Sequence, residues 1–123
     1  MSLMSELRDV RPRWIWEGVQ ARIINGERMT LAIVEIRPRE EVPEHLHDNE
    51  QMGFVITGTV TFTIGDETRT LGPGGSWRIP SNVPHHVTVG EEAAVVAECY
   101  APLRSDWDGL PLQDPCPPLW PQS

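Results

Sequence analysis

Apolar and polar residues along this chain alternate with a period of two or gather in short runs, and Gly or Pro interrupts nearly every fifteen residues. Both patterns specify strands, and the three-to-four spacing of a helix face is almost absent. Residues 13–17 predict a first short strand. Segments 19–24 and 28–37 flank Asn25-Gly26, the strongest short-range signal for a hairpin. Strands are predicted at 51–57 and 59–64, separated by Gly58, and Gly65-Asp66 turns the chain into 67–71. Further strands follow at 76–79, 86–89 and 93–100. Nine or ten short strands at a spacing of about ten residues predict an all-β sandwich or small barrel, whose mouth is a natural pocket.

The pattern changes after Pro102. Five of the seventeen residues 107–123 are prolines, so this stretch is neither strand interior nor helix. We read it as an extended arm that can bury Leu110, Leu112, Leu119 and Trp120. The barrel domain then spans residues 4–106. Residues 1–3, Met1-Ser2-Leu3, precede a second methionine, Met4, and read as a leader added ahead of a native start.

A chain of 123 residues has room for one core. No window approaches the ~20 apolar residues that cross a bilayer, and no positive segment followed by an apolar run opens the chain. A soluble, cytoplasmic protein is expected. Cys99 and Cys116 lie outside any C-x-x-C pattern and are expected as free thiols in a reducing compartment. Ten basic against eighteen acidic side chains give a net charge of −8, which argues against non-specific binding to nucleic acid or anionic membranes. A local basic pocket for a small anion remains compatible with it.

The four histidines fall in two places: His45 and His47, then His85 and His86 after Pro84. On an extended strand, residues two apart share a face, so His45 and His47 can converge on one ion. His85 is the expected third ligand, and His86, of opposite parity, points away. An oxygen ligand is expected from Gln51, which a turn at Asp48-Asn49 can swing back, or from Glu50. Such a site suits one divalent transition metal ion, zinc, nickel, copper, iron or manganese, with positions left for water or substrate. Trp14, Trp16 and Trp77 are expected in the core or at a dimer interface. Arg78, alternating with Trp77, is a further candidate for anion contact in the pocket.

The chain resembles the cupins, small jelly-roll proteins with two sequence motifs, from Trp14 to Trp107. The first motif is Gly, five residues, His-x-His, three or four residues, Glu, six residues, Gly. His45, His47 and Gly58 match it, with Arg39 at the first Gly and Gln51 at the Glu. The second is Gly, five residues, Pro-x-Gly, two residues, His, three residues, Asn. Gly74, Pro80 and His85 match, with Asn82 and Val89 in place of the Gly and Asn. His-x-His-x-x-Glu-Gln is similar to the pectin-degradation subgroup, in which a glutamine joins three histidines at the metal, and this implies Gln51 as the fourth ligand. That subgroup acts on 4,5-unsaturated uronates, opening the cyclic sugar toward its linear keto acid. Glu98-Cys99-Tyr100-Ala101-Pro102-Leu103-Arg104-Ser105-Asp106 resembles the subgroup's acid-x-aromatic-x-Pro-x-Arg-x-Asp segment. The resemblance implies Glu98 as acid/base carboxylate, Tyr100 as a ring against the sugar and Arg104 as partner of the substrate carboxylate.

A non-redox lyase or isomerase acting on a small anionic sugar is therefore the expected activity. An iron-dependent dioxygenase and a sugar-binding module without turnover are the alternatives. A symmetric homodimer is also expected, because a jelly roll usually buries an exposed edge and the N-terminal strand is rich in Trp, with the pairing strands left open.

Overall fold

The structure, a computed structural model, describes residues 2–122. Met1 and Ser123, the ends of the expected leader and arm, lie outside the described residues. Ten strands follow one another: β1 (Arg13–Trp16), β2 (Val19–Asn25), β3 (Thr30–Ile36), β4 (Glu41–His45), β5 (Glu50–Thr57), β6 (Val60–Ile64), β7 (Glu67–Leu71), β8 (Ser76–Ile79), β9 (His85–Val89) and β10 (Ala94–Ala101). The only helical pieces among the described residues are two single 3₁₀ turns, Leu7–Asp9 and Ser105–Trp107. The strands form two antiparallel sheets, a six-stranded one in the order β1-β2-β3-β10-β5-β8 and a four-stranded one in the order β4-β9-β6-β7. This is the all-β sandwich expected from the strand periodicity and the jelly roll that the cupin resemblance implies.

Alternation decides which residues enter the core. The six-stranded sheet turns Val19, Ala21, Ala32, Val34, Ile36, Val55, Trp77, Ile79, Val96 and Tyr100 inward, against Val60, Phe62, Val87 and Val89 of the other sheet. On the same rule Arg78 is exposed, so the anion contact considered for it does not form. The 25–30 hairpin forms, but through a four-residue loop closed by Gly26 N–H donating to Met29 O at 2.8 Å, not a two-residue turn on Asn25-Gly26. Thr30 stabilises that register by donating its hydroxyl to Asn25 Oδ1 at 2.7 Å.

The two positions at which this chain replaces a motif glycine, Arg39 and Asn82, both have φ of 62°. The left-handed backbone that favours glycine has been kept and the residue has not. Each residue is tied down by its main chain: Arg39 N–H donates to Gly90 O and Asn82 N–H to His47 O, both at 2.8 Å. The second bond holds the loop before β9 against the loop that carries His47.

The proline-rich arm packs on its own barrel. Leu112 bridges Arg13, Gln113 N–H donates to Pro12 O at 2.8 Å, and Arg13 Nη1 donates to Leu110 O at 2.7 Å. The β1 edge is thus partly bridged by the chain itself. Further along, the arm covers a buried ion pair. Arg22 is paired with Glu35 at 2.9 Å and also donates to Cys116 O at 2.6 Å, while Leu119 N–H donates to Glu35 Oε2 at 2.9 Å. Buried charges persist only when every hydrogen-bonding group is met, and here the arm supplies the missing partners. Trp107, the first residue of the expected arm, is itself buried in the core against Tyr100.

Candidate metal centre

His45 closes β4, His47 lies beyond it in the loop, and His85 opens β9, directly opposite His45 in the β4/β9 ladder. The expected pair on one strand is therefore a strand residue and a loop residue. The three rings nevertheless converge, with ring nitrogens within 4.8 Å of one another and the His45 and His85 centroids 4.3 Å apart.

Backbone carbonyls set the tautomer of each ring. Nδ1 of His45 lies 2.8 Å from Pro43 O, that of His85 2.9 Å from Val83 O, and that of His47 3.0 Å from Asn49 O. A carbonyl can only accept, so in each ring the hydrogen sits on Nδ1 and the Nε2 lone pair is free. Nε2 of His85 is buried with no hydrogen-bond partner among the described residues. An orphaned buried acceptor of this kind fits a cation. Burial, and next the Arg104 charge, hold His47 below the ordinary imidazole pKa. Burial lowers His45 too, against a bond to Pro43 O, and brings His85 down to about 4. All three are neutral, ligand-ready imidazoles at neutral pH.

Gln51, the second residue of β5, turns inward and is buried, whereas Glu50 is exposed. Its amide nitrogen donates to Glu98 Oε1 at 2.6 Å, which orients the amide and leaves Oε1 3.0 Å from His47 Nε2. Glu98 accepts two further bonds, from Trp77 Nε1 at 3.1 Å and from the Tyr100 hydroxyl at 2.5 Å. The carboxylate thus sits among three donors from β5, β8 and β10. Burial still raises its pKa, opposed by those bonds, and burial together with Glu98 raises that of Tyr100 well above the usual phenol value. Gly53 makes the arrangement possible. It lies between Glu98 and Trp77 in the sheet, and a Cβ there would stand 2.9 Å from Glu98 Cγ and 3.0 Å from the Trp77 ring.

Arg104 follows β10 and is buried, its guanidinium 4.0 Å from the Trp107 ring centroid and 5.0 Å from that of Tyr100. Nε and Nη2 form a fork on Asp106 at 3.1 and 3.0 Å. Nη1 has no hydrogen-bond partner among the described residues. Arg104, Asp106, Glu98, Tyr100, Gln51, His45 and His85 all line one cavity of about 250 Å³ between the sheets.

The structure therefore brings His45, His47, His85, Gln51, Glu98, Tyr100 and Arg104 to one place, and His86 is directed away on the opposite parity of β9. Trp77 is buried and bonded to Glu98, while Trp16 is half-exposed and packs on His45 at 5.4 Å. Three contributors escaped the sequence reading. Trp16 lines the cavity, Gly53 makes room for Glu98, and buried Asn49 donates to Pro102 O at 2.5 Å, tying the His47 loop to the Arg104 segment. A glycine inside a strand is the one signal that could have pointed to Gly53.

The profile described as "Cupin domain" matches residues 32–100, more than half of the chain. The chain belongs to the cupin family. This cupin is 26% identical over 93 residues to the pectin degradation protein KdgF of Dickeya dadantii, covering 74% of this chain and 84% of that one. It is 33% identical over 98 residues to the H2HPP isomerase of Bacillus subtilis, covering 76% of this cupin but only 41% of the relative's length. Among solved structures it is similar to an RmlC-like cupin from Shewanella frigidimarina, with a TM-score of 0.81 at 17% identity over 87% of this chain and 96% of that one. KdgF from Halomonas sp. superposes with a TM-score of 0.72 at 23% identity, over 77% of this cupin and 88% of that chain. No helix among the described residues is long and apolar enough to cross a membrane.

Proposed function

We propose that this cupin is a metal-dependent enzyme that isomerises or ring-opens a small carboxylic acid without redox chemistry. The observation that carries the reading is the meeting of His85 Nε2, without a partner among the described residues, with Gln51 Oε1 and His47 Nε2, two acceptors 3.0 Å apart. Three imidazoles and one amide oxygen suit zinc, nickel, manganese or iron(II). When bound, such an ion supplies Lewis-acid polarisation of a substrate oxygen.

The chain's own residues do the rest. Arg104 places a cation beside the histidines, and Nη1 is free to meet a substrate carboxylate. Glu98 holds the Gln51 amide and shares the Tyr100 hydroxyl proton, so that proton is the one placed to be passed at the cavity wall. The rings of Tyr100 and Trp107 pack on the guanidinium and shield it from water.

The names of two relatives support an enzymatic role: one is an isomerase and the other a pectin degradation protein. The unsaturated uronate suggested by the segment from Glu98 to Arg104 is one member of the proposed substrate class, small carboxylic acids. Residence in a reducing cytoplasm goes with the two free thiols, Cys99 and Cys116. Loss of the ultraviolet absorbance of an unsaturated uronate or enol acid on adding metal-loaded protein, abolished by Arg104→Ala, tests the activity. Unchanged absorbance with tight binding would instead make the protein a binding module.

A further inference from the structure

The polar groups of the cavity lie in one tier. His85 opens β9, Gln51 sits near the start of β5, and Glu98 and Tyr100 lie toward the end of β10. One side-chain step along the same strands the wall becomes hydrocarbon. Val87 follows His85, Val96 precedes Glu98, and Val34, Ile36, Val60 and Phe62 complete the wall. Most of the tier's polar groups are already committed to one another, leaving chiefly Arg104 Nη1 for a ligand. Both Glu98 oxygens and the Gln51 amide nitrogen are engaged, and the Arg104 fork is closed on Asp106.

From this division we infer that the site takes a carboxylate with an apolar body, a hydrocarbon ring or branched chain, in preference to a polyhydroxylated sugar acid. The inference rests on the metal-site reading above and narrows its substrate class. A sugar ring laid against Val34, Val87, Val96 and Phe62 loses water from its hydroxyls and finds no partner there, a penalty paid for each one. A hydrocarbon body loses nothing and gains from the same wall. Its carboxylate stays at the polar tier, beside Arg104 Nη1 and the three imidazoles. Trp16 and Leu110 flank the same space and extend the apolar surface.

The test is a titration of the full chain, loaded with nickel or zinc and checked for bound ion. Two acids of equal charge and similar ring size are compared, cyclohexanecarboxylate and galacturonate, followed by the quenching of tryptophan fluorescence. Binding of the hydrocarbon acid at least ~tenfold more tightly is expected, because its ring carbons enter an apolar wall. Val96→Thr and Val87→Thr, near-isosteric and confirmed as folded by unchanged metal uptake, are expected to erase most of that preference. Galacturonate binding as tightly as the hydrocarbon acid overturns the inference. So does a preference untouched by both substitutions, or no binding of either acid by metal-loaded protein. Those results leave the metal site standing, whereas failure to take up any ion overturns the reading beneath it.

Discussion

Gln51 Oε1 and His47 Nε2 face each other at 3.0 Å, and with the ring hydrogen of the neutral imidazole on Nδ1, directed at Asn49 O, neither atom carries a hydrogen. Two lone pairs at that distance repel unless a cation lies between or beside them. Either partner could escape by turning, but neither is free to do so: Asn49 O holds the His47 ring through Nδ1, and Glu98 holds the Gln51 amide through its nitrogen. The carboxylate of Glu98 therefore controls which end of the amide the histidines see.

Glu98→Gln tests that control. The new side chain presents an NH2 where a carboxylate oxygen stood, and Gln51, Trp77 and Tyr100 compete for the one acceptor left. The Gln51 amide then loses its fixed orientation. Partners of this kind alter metal affinity by about 10–100-fold when changed. We expect a loss of that size for zinc or nickel by competition against a chelator, with secondary structure intact; an unchanged affinity would show that Glu98 does not position the ligand.

Arg104→Ala separates anion binding from metal binding. A charge-assisted hydrogen bond to a carboxylate is worth about 1.5–3 kcal/mol, so affinity for a small carboxylate should fall roughly 10–150-fold. Metal affinity should stay equal or rise, since the Arg104 charge acts against cations at all three histidines. Parallel loss of both by titration calorimetry would mean that Arg104 serves the fold rather than the anion.

The depressed histidines fix the sign of a pH effect on the metal-free protein. Below about pH 6.5 the unfolded chain takes up protons that folded His85 refuses until about pH 4. Stability present above pH 6.5 is therefore lost progressively as pH falls toward 4, and His45 and His47 add in the same direction. The melting temperature of wild type should drop over this window, and that of His85→Phe should drop less. Equal slopes would remove His85 as the cause.

Arg39 offers a test of the fold apart from the site. Its φ of 62° costs an ordinary side chain about 1–2 kcal/mol that glycine avoids, less some 0.4–1 kcal/mol for the added freedom of the unfolded chain. Its ion pair with Glu91, 3.7 Å between largely exposed groups, contributes little. Arg39→Gly should leave stability, read from the midpoint of denaturation, unchanged or raise it by up to about 1.5 kcal/mol. A clear loss would mean that the side chain does more than occupy the turn.

Much of this was legible in the sequence because strands announce themselves locally. The alternation around residues 85–89 and 94–101 places His85, Glu98 and Tyr100 inward and His86 and Cys99 outward with no knowledge of the neighbours. What could not be read depends on which strands lie side by side. Glu98 meets Trp77 and Gln51 because β10 is next to β5 and β5 next to β8, an order unrelated to distance along the chain. The clasp of Arg22 by Cys116 O joins residues 94 positions apart, and the His47 loop meets Leu103 and Pro102 in the same way. Arg104 could be assigned to a substrate carboxylate or to a nearby acid from its spacing alone, and the structure gives two of its donors to Asp106.

The most direct measurement is metal titration of tag-free, chelator-stripped protein by calorimetry, wild type against His85→Ala. One divalent ion bound per chain is expected in the wild type and its loss in the variant; wild-type protein that takes up no zinc, nickel, manganese or iron(II) would overturn the metal site.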